Sequence, residues 1–369
     1  PRMPLRWRDE LVLVTAFVLT FYCVRGLYGV VPFLMSLGLA GVFAFLALTS
    51  VRLWRQSDVD RPGLRLKRAG KLLPQGRAFV VAMGVLLVFL GHAALLQFHI
   101  YRGDRSYAEL EAQRRTLLAS AGSRAELSAS LKADIAAGIA DWRAVESIGW
   151  VSTLGTAAKL AWLYALSGAD ADADHYSQLA LERGELPREM HQLRAHLAVR
   201  GSNVAAAVSE WQLAIEARPE IPEPYLALGV FQAGMGDMTA ALQVFQRGLA
   251  AVPNSPELNY NTALALAMSD QAPASVALFE RALQLNPRYL EARENLAGVL
   301  ASLGRFDASV QQFRLAIEQS PNDAQTRLLL VRALLGQGER AQARAELEKL
   351  LQIEPDNPEA RALNGELSD

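Results

Sequence analysis

"GRFDASVQQFRLAIEQSPND", residues 304–323, reads as one exposed helix: a turn glycine, an aromatic, small residues, and then a proline stop. Nearly the same pattern recurs along the chain at one fixed interval. Prolines stand at 219, 253, 287, 321 and 355, each 34 residues after the last. Eight residues before each sit Trp211, Phe245, Phe279, Phe313 and Leu347, and five before it Ala214, Gly248, Ala282, Ala316 and Leu350. Twelve before it come Ala207, Ala241, Ser275, Ser309 and Ala343, and twenty-four before it Ala195, Gly229, Ala263, Ala297 and Val331. Turn glycines appear at 236, 304 and 338, with Gly201 one residue early and Asp270 in the remaining slot.

Each column has a mechanical cause. Small residues sit where the first helix of a pair (A) crosses the second (B) at close range, and the aromatic fills the gap beneath the next pair. Proline ends helix B and sets the entry to the following unit. The pattern resembles the tetratricopeptide repeat, a helix–turn–helix of about 34 residues. The resemblance covers five units, 188–221, 222–255, 256–289, 290–323 and 324–357. Residues 154–187 fit loosely as a sixth: Ala161, Tyr164, Gly168, Ala173 and Ala180 fall in register, but Ser177 replaces the aromatic and Glu185 the proline. One unit alone cannot bury its apolar faces, so the resemblance implies stacking into a right-handed superhelix with an inner groove lined mainly by A helices. Residues 358–369 read as a capping helix, and the expected fold class is all-α, transmembrane helices followed by an α-solenoid.

Charge divides the chain. Residues 1–100 hold 12 Lys/Arg against 4 Asp/Glu, a net +8, whereas 101–369 hold 25 against 34, a net −9. Residues 78–101 carry no formal charge over 24 positions and residues 26–51 none over 26, each enough to cross a hydrocarbon core of about 30 Å. The run 11–24 stops at Arg25, which can snorkel while Gly26, Leu27 and Tyr28 extend the apolar stretch. Three spans are therefore expected, at about 11–28, 30–52 and 78–101, within a membrane domain 1–101. A basic cytoplasmic loop would fill 53–77, and a helical stalk or N-terminal cap 102–153. Residues 52–77 carry eight Lys/Arg, and Arg2, Arg6 and Arg8 precede the first span; both stretches belong on the cytoplasmic side, with everything after Tyr101 on the periplasmic side or outside the cell. The loop reads as a topology signal, with anionic lipid recognition as its functional alternative. Arginine outnumbers lysine 32 to 5, which suits a GC-rich bacterial genome, so the expected location is a bacterial inner membrane.

Little in the chain carries chemistry. The single cysteine, Cys23, permits no internal disulfide and no thiolate cluster. No Walker loop, nucleophile elbow, HExxH or dinucleotide-binding glycine motif is present, so neither catalysis nor a cofactor or metal site is expected. "ADADADHY" (169–176) opens like a calcium loop but lacks the glycine at position 6 and has Leu181 in the bidentate glutamate's slot, so it reads as a solvated turn. His92 and His99 lie near one face of a helix and cannot grip both sides of one haem iron; they read as packing or interfacial residues. A net −9 repeat region argues against nucleic acid.

Function should lie on the groove. In the tetratricopeptide family, positions 2, 5, 9, 12 and 13 of each repeat point into it, which here implies Glu189, Gln192 and His196, then Glu223, Leu226 and Val230, then Glu257, Tyr260, Leu264 and Met268, then Glu291 and Glu294, and finally Leu328 and Arg332. The middle is apolar and the rim acidic. Some relatives clamp a partner's C-terminal carboxylate with Lys and Asn in these columns; this chain keeps Asn261 and Asn295 but has Leu226 and Val230 in the others. An extended or helical segment with apolar anchors and basic flanks fits better. The resemblance implies a non-enzymatic, membrane-anchored scaffold that assembles or stabilises a membrane complex. Its partners would be membrane subunits at the spans, a peptide segment or protein in the groove, and the lipid bilayer. Two alternatives are an accessory subunit of a respiratory or electron-transfer complex and a scaffold for envelope polysaccharide export or secretion. The layout also resembles the repeat-bearing subunit of cytochrome c maturation, which has fewer spans.

Overall fold

The computed structural model describes residues 14–21, 33–61, 64–119, 128–149 and 155–367, and the chain divides into two units, Pro1–Tyr176 and Ser177–Asp369. In the first, residues 14–21 (α1) and Phe33–Arg55 (α2) are helical. Val59–Arg61 (β1), Leu64–Arg68 (β2) and Lys71–Leu72 (β3) then form an antiparallel sheet in that order. Pro74–Ala119 (α3), Ala129–Ile148 (α4), Thr156–Ser167 (α5) and the start of Asp170–Glu182 (α6) complete the unit.

The small sheet corrects the reading of 53–77 as a loop in an otherwise helical chain. Val59 and Leu66 bury together with Leu53, and Leu72 and Phe79 pack against them. Ala69 and Gly70 both take positive φ, 47° and 77°, the backbone a two-residue hairpin requires. The strands are too short, and too crowded with charge, for their alternation to stand out in the sequence.

No break in the helix marks the expected boundary at 101/102. α3 is one helix of 46 residues, about 69 Å at 1.5 Å per residue, carrying the apolar run into the stalk without a break. No proline interrupts it after Pro74. Among the described residues it holds the one helical stretch, Pro74–Ala108, long and apolar enough to cross a membrane, and its apolar window is unburied. The expected spans at 11–28 and 30–52 lie partly outside the described residues. α4 packs along α3: His92 Nε2 bonds the Ile148 carbonyl at 2.8 Å, and His99 Nδ1 bonds buried Asp141 at 2.8 Å. Both histidines thus serve helix packing, and α4 reaches back alongside the stretch expected to be the third span.

"ADADADHY" is not a turn. Left-handed Gly168 (φ 83°) closes α5, and Asp170 and Asp172 form the first turn of α6, where carboxylates favour the helix dipole. No group of three His, Cys, Asp or Glu among the described residues is placed to hold a metal.

The second unit continues with Pro187–Arg200 (α7), Val204–Ala217 (α8), Glu223–Gly234 (α9), Met238–Ala251 (α10), Pro256–Met268 (α11) and Ala272–Leu285 (α12). Leu290–Ser302 (α13), Phe306–Gln319 (α14), Ala324–Gln337 (α15), Arg340–Ile353 (α16) and Pro358–Glu366 (α17) follow. The B helices α8, α10, α12, α14 and α16 are each 14 residues long and begin 34 residues apart. Each ends two residues before its proline. The residue between, Arg218, Val252, Asn286, Ser320 or Glu354, has ψ between 69° and 91°, because a following proline ring drives it from the helical region. The stop therefore acts one residue upstream of the proline.

The aromatic and small-residue columns read from the sequence are inside, whereas the prolines and turn glycines lie at the surface. Trp211, Phe245, Phe279, Phe313 and Leu347 are 0–2% exposed, and the small-residue columns are buried throughout. At Gly229 a Cβ would stand 2.3 Å from the Phe245 ring, so the crossing there admits glycine alone. The turn column is Ser202, Gly236, Asp270, Gly304 and Gly338, all at positive φ, whereas Gly201 is not. Ser202→Gly and Asp270→Gly are each expected to raise stability by roughly 0.5–1 kcal/mol, because glycine holds left-handed backbone without steric cost. Thermal unfolding of the two variants checks this.

One recurring contact has no fixed residue type. Six positions after each proline a side chain donates to that proline's carbonyl: Tyr225 Oη at 3.2 Å, Asn259 Nδ2 at 3.1 Å, Arg293 Nη2 and Arg327 Nη2 at 2.7 Å, and Arg361 Nε at 2.8 Å. It fastens the start of each A helix to the turn before it.

Candidate protein-binding face

Successive A helices pack directly on one another, α9 on α11, α11 on α13 and α13 on α15, whereas no successive B helices pack as closely. In a stack of helix pairs the closer-packed row is the inner one, so the A helices line the inner side of this unit.

At its start, Gln192 accepts from Arg188 Nη1 at 3.4 Å. His196 meets the Trp211 ring edge-on, 5.8 Å between centroids, and Trp211 contacts Phe231 at 4.9 Å. Burial, and then the charge of Arg200, lower the His196 pKa from 6.5 to about 4, so it is neutral at pH 7. On α9, Leu226 is half-buried while Val230 is 54% exposed; on α11, Tyr260 and Leu264 are half-buried and Met268 is 65% exposed. The sequence reading missed Met235, 59% exposed just after α9; its position outside the family's groove columns gave no signal.

Glutamates recur at 34-residue spacing in the first turn of successive A helices: Glu189, Glu223, Glu257 and Glu291. The last three are exposed, an acidic rail along one edge. Between Glu257 and Glu291 lies a ring pair, Tyr260 and Tyr289, with centroids 4.9 Å apart. Burial first, and then each other's proximity and these carboxylates, push Tyr289 up to about 12; burial with Glu291 and Glu294 raises Tyr260 as well. Glu294 accepts from Thr326 Oγ1 at 2.6 Å, and its pKa is raised by burial and by the neighbouring acids Asp323 and Glu291.

The last repeat departs from the expected groove. Leu328 is 4% exposed and lies in one core cluster with Ala360, against which Leu363 packs. Arg332 is bound to Glu359, its Nε at 2.7 Å. Helix α17 thus takes up both positions by covering the terminal repeat. Asn261 and Asn295 are turned back on their own helices, donating to the Glu257 and Glu291 carbonyls at 2.8 Å, and Asn295 also donates to the Tyr260 hydroxyl at 3.2 Å. Neither is set to clamp a carboxylate.

Tetratricopeptide repeat family models match residues 193–256, 260–324 and 302–367. No curated protein matches the sequence. Among solved structures, the C-terminal part of a TPR repeat-containing protein from Cytophaga hutchinsonii is similar at a TM-score of 0.53 and 14% identity, over 68% of this chain and 98% of that one. YrrB, described as a TPR protein with an unusual peptide-binding site, is similar at 0.45 and 22%, over 50% and 96%. PilW, a type IV pilus biogenesis factor, is similar at 0.44 and 19%, over 56% and 96%. At 14% identity the likeness to the Cytophaga hutchinsonii protein is one of fold alone.

Proposed function

Because residues 193–367 are tetratricopeptide repeats, a module that binds peptide segments and proteins, we propose that the chain is a membrane-anchored scaffold that holds a partner segment on its A helices and so assembles or stabilises a membrane complex. The observation that carries this reading is the Tyr260–Tyr289 pair flanked by Glu257 and Glu291, on the same row of helices as exposed Val230 and Met268. Aromatic faces beside carboxylates suit arginine and lysine, and exposed aliphatic side chains suit apolar anchors. The segment is accordingly apolar with basic flanks.

The anchor is α3, whose apolar stretch is unburied. A crossing there puts the chain beyond Tyr101 on the side opposite the arginine-rich hairpin, the periplasmic side of a bacterial inner membrane by the positive-inside rule. The α1 and α2 segments add further spans and lateral contacts with membrane subunits.

A photo-cross-linker at Val230 or Met268 is expected to trap one discrete partner in cells, and the same probe at Gln246, exposed on α10, none. Titration of the trapped segment should then show Val230→Asp and Met268→Asp each weakening binding by tenfold or more, roughly 1.4 kcal/mol. Equal trapping at all three positions, or unchanged affinity, would overturn the groove.

A further inference from the structure

The hairpin between α2 and α3 carries charge that the described residues around it do not balance. Arg68 pairs directly across from Lys71, and like charges facing each other across strands oppose the pairing unless an anion joins them. Arg55, Arg65, Arg68, Lys71 and Arg77 are all exposed, and none has a side-chain ion pair among the described residues. Two acids share the sheet. Asp60 stands across from Arg65, and Asp58 is engaged by the turn, its Oδ1 accepting from Ala69 N–H at 2.7 Å.

The position of this charge is fixed. Leu73 N–H donates to the Leu66 carbonyl at 3.0 Å, and Arg65 N–H donates to Gln75 Oε1 at 2.8 Å. Gly76 lies so close that a Cβ would stand 1.9 Å from the Leu66 oxygen. Strand β2 is thereby fastened to the first turn of α3. The exposed apolar side chains of that helix begin at Val80 and Val81, about 4–6 Å beyond Arg77 at 1.5 Å per residue. That distance is comparable to the headgroup layer, about 5–7 Å per leaflet. Trp54 is 81% exposed, next to Leu53 in the core of the same sheet, and an amphipathic indole suits the boundary between acyl chains and headgroups.

From this like-charge hairpin fastened to the foot of the apolar helix beside an exposed tryptophan, we propose a headgroup-level binding site for an anionic phospholipid. Arg68 and Lys71 take the phosphate between them, Arg55, Arg65 and Arg77 add attraction, and Trp54 packs at the acyl boundary. The site rests on the reading of α3 as a membrane span, and goes beyond it in naming the lipid class.

Native mass spectrometry of the full chain, released from nanodiscs of equimolar phosphatidylglycerol and phosphatidylcholine, tests it. The unaltered chain is expected to retain phosphatidylglycerol with about tenfold preference. Arg68→Gln with Lys71→Gln should bring the ratio near one, and Lys71→Gln alone, which leaves the turn intact, should lose part of it. Arg344→Gln, on α16, should change nothing. Trp54→Phe should reduce the quenching of fluorescence by brominated phosphatidylglycerol. No lipid preference in the unaltered chain, or full preference in the double variant, overturns the site and leaves the span standing. Displacement of the lipid by inorganic phosphate also overturns it, in favour of a soluble anion. Failure to enter nanodiscs of phosphatidylcholine alone overturns the span itself, and the site with it.

Discussion

Phe279→Ala is expected to cost about 3–5 kcal/mol of stability. The ring is 0% exposed and sits in a cluster with Ala263, Val276 and Ala282 from its own repeat and Ala292, Leu296 and Leu300 from the next. It therefore holds α11 and α13 together as well as α12. It also meets Tyr260 edge-on, with centroids 6.0 Å apart, so its loss removes support from the binding face. Because repeat stacks unfold through nearest-neighbour interfaces, circular dichroism of the full chain in urea should show an early transition. Hydrogen exchange should place that transition in α11–α13. A loss under about 1 kcal/mol would mean the neighbouring repeats close the gap, contrary to interiors packed as tightly as crystals.

Arg327→Ala is expected to cost about 2–4 kcal/mol, because it leaves two acceptors short of a partner in a largely buried place. Arg327 is 7% exposed and donates to Glu346 through Nη1 and to the Pro321 carbonyl through Nη2 at 2.7 Å. Burial pulls the Glu346 pKa upward, but hydrogen bonds from Lys349 and Arg327 outweigh it and hold the carboxyl below its ordinary 4.5. A carboxylate whose folded pKa is depressed adds stability above its unfolded pKa and loses it as pH falls through the folded value. The penalty of Arg327→Ala should thus be full at pH 7 and shrink below about pH 4.5. Urea unfolding at pH 7 and pH 3.5 measures it, and an equal penalty at both would show that the charge pair contributes nothing.

The repeat columns were legible because they answer a steric demand that accepts few residue types. Where two helix axes cross closely Gly, Ala and Ser fit best, and only the last repeat departs with Val331 and Leu350, so the letters themselves repeat. The proline-carbonyl contact was not legible, although it has the same period. Tyrosine, asparagine and arginine can all donate to one carbonyl, and a shared function leaves no shared letter. The turn column was legible at Gly236, Gly304 and Gly338, with Gly201 one residue early; a left-handed backbone prefers glycine without requiring it, and Ser202 carries it in that slot.

The candidate binding face was legible only as a set of register positions. Leu328 and Arg332 occupy the same columns as residues that remain open elsewhere, yet the first is buried and the second ion-paired to α17. Nothing local distinguishes them; a terminal repeat differs from an internal one only in what stacks on it.

From the sequence by itself came the 34-residue period, the helix pair within it, the residues that meet inside, and the apolar stretch of α3. These follow from interactions a few residues apart or from strict repetition, where spacing stands in for contact. The tertiary structure alone decided which groove positions stay open, that the arginine-rich stretch folds as a sheet on the foot of α3, and that α4 lies along His92 and His99. Each of those depends on side chains brought together from distant, unrepeated parts of the chain, where no spacing records the meeting.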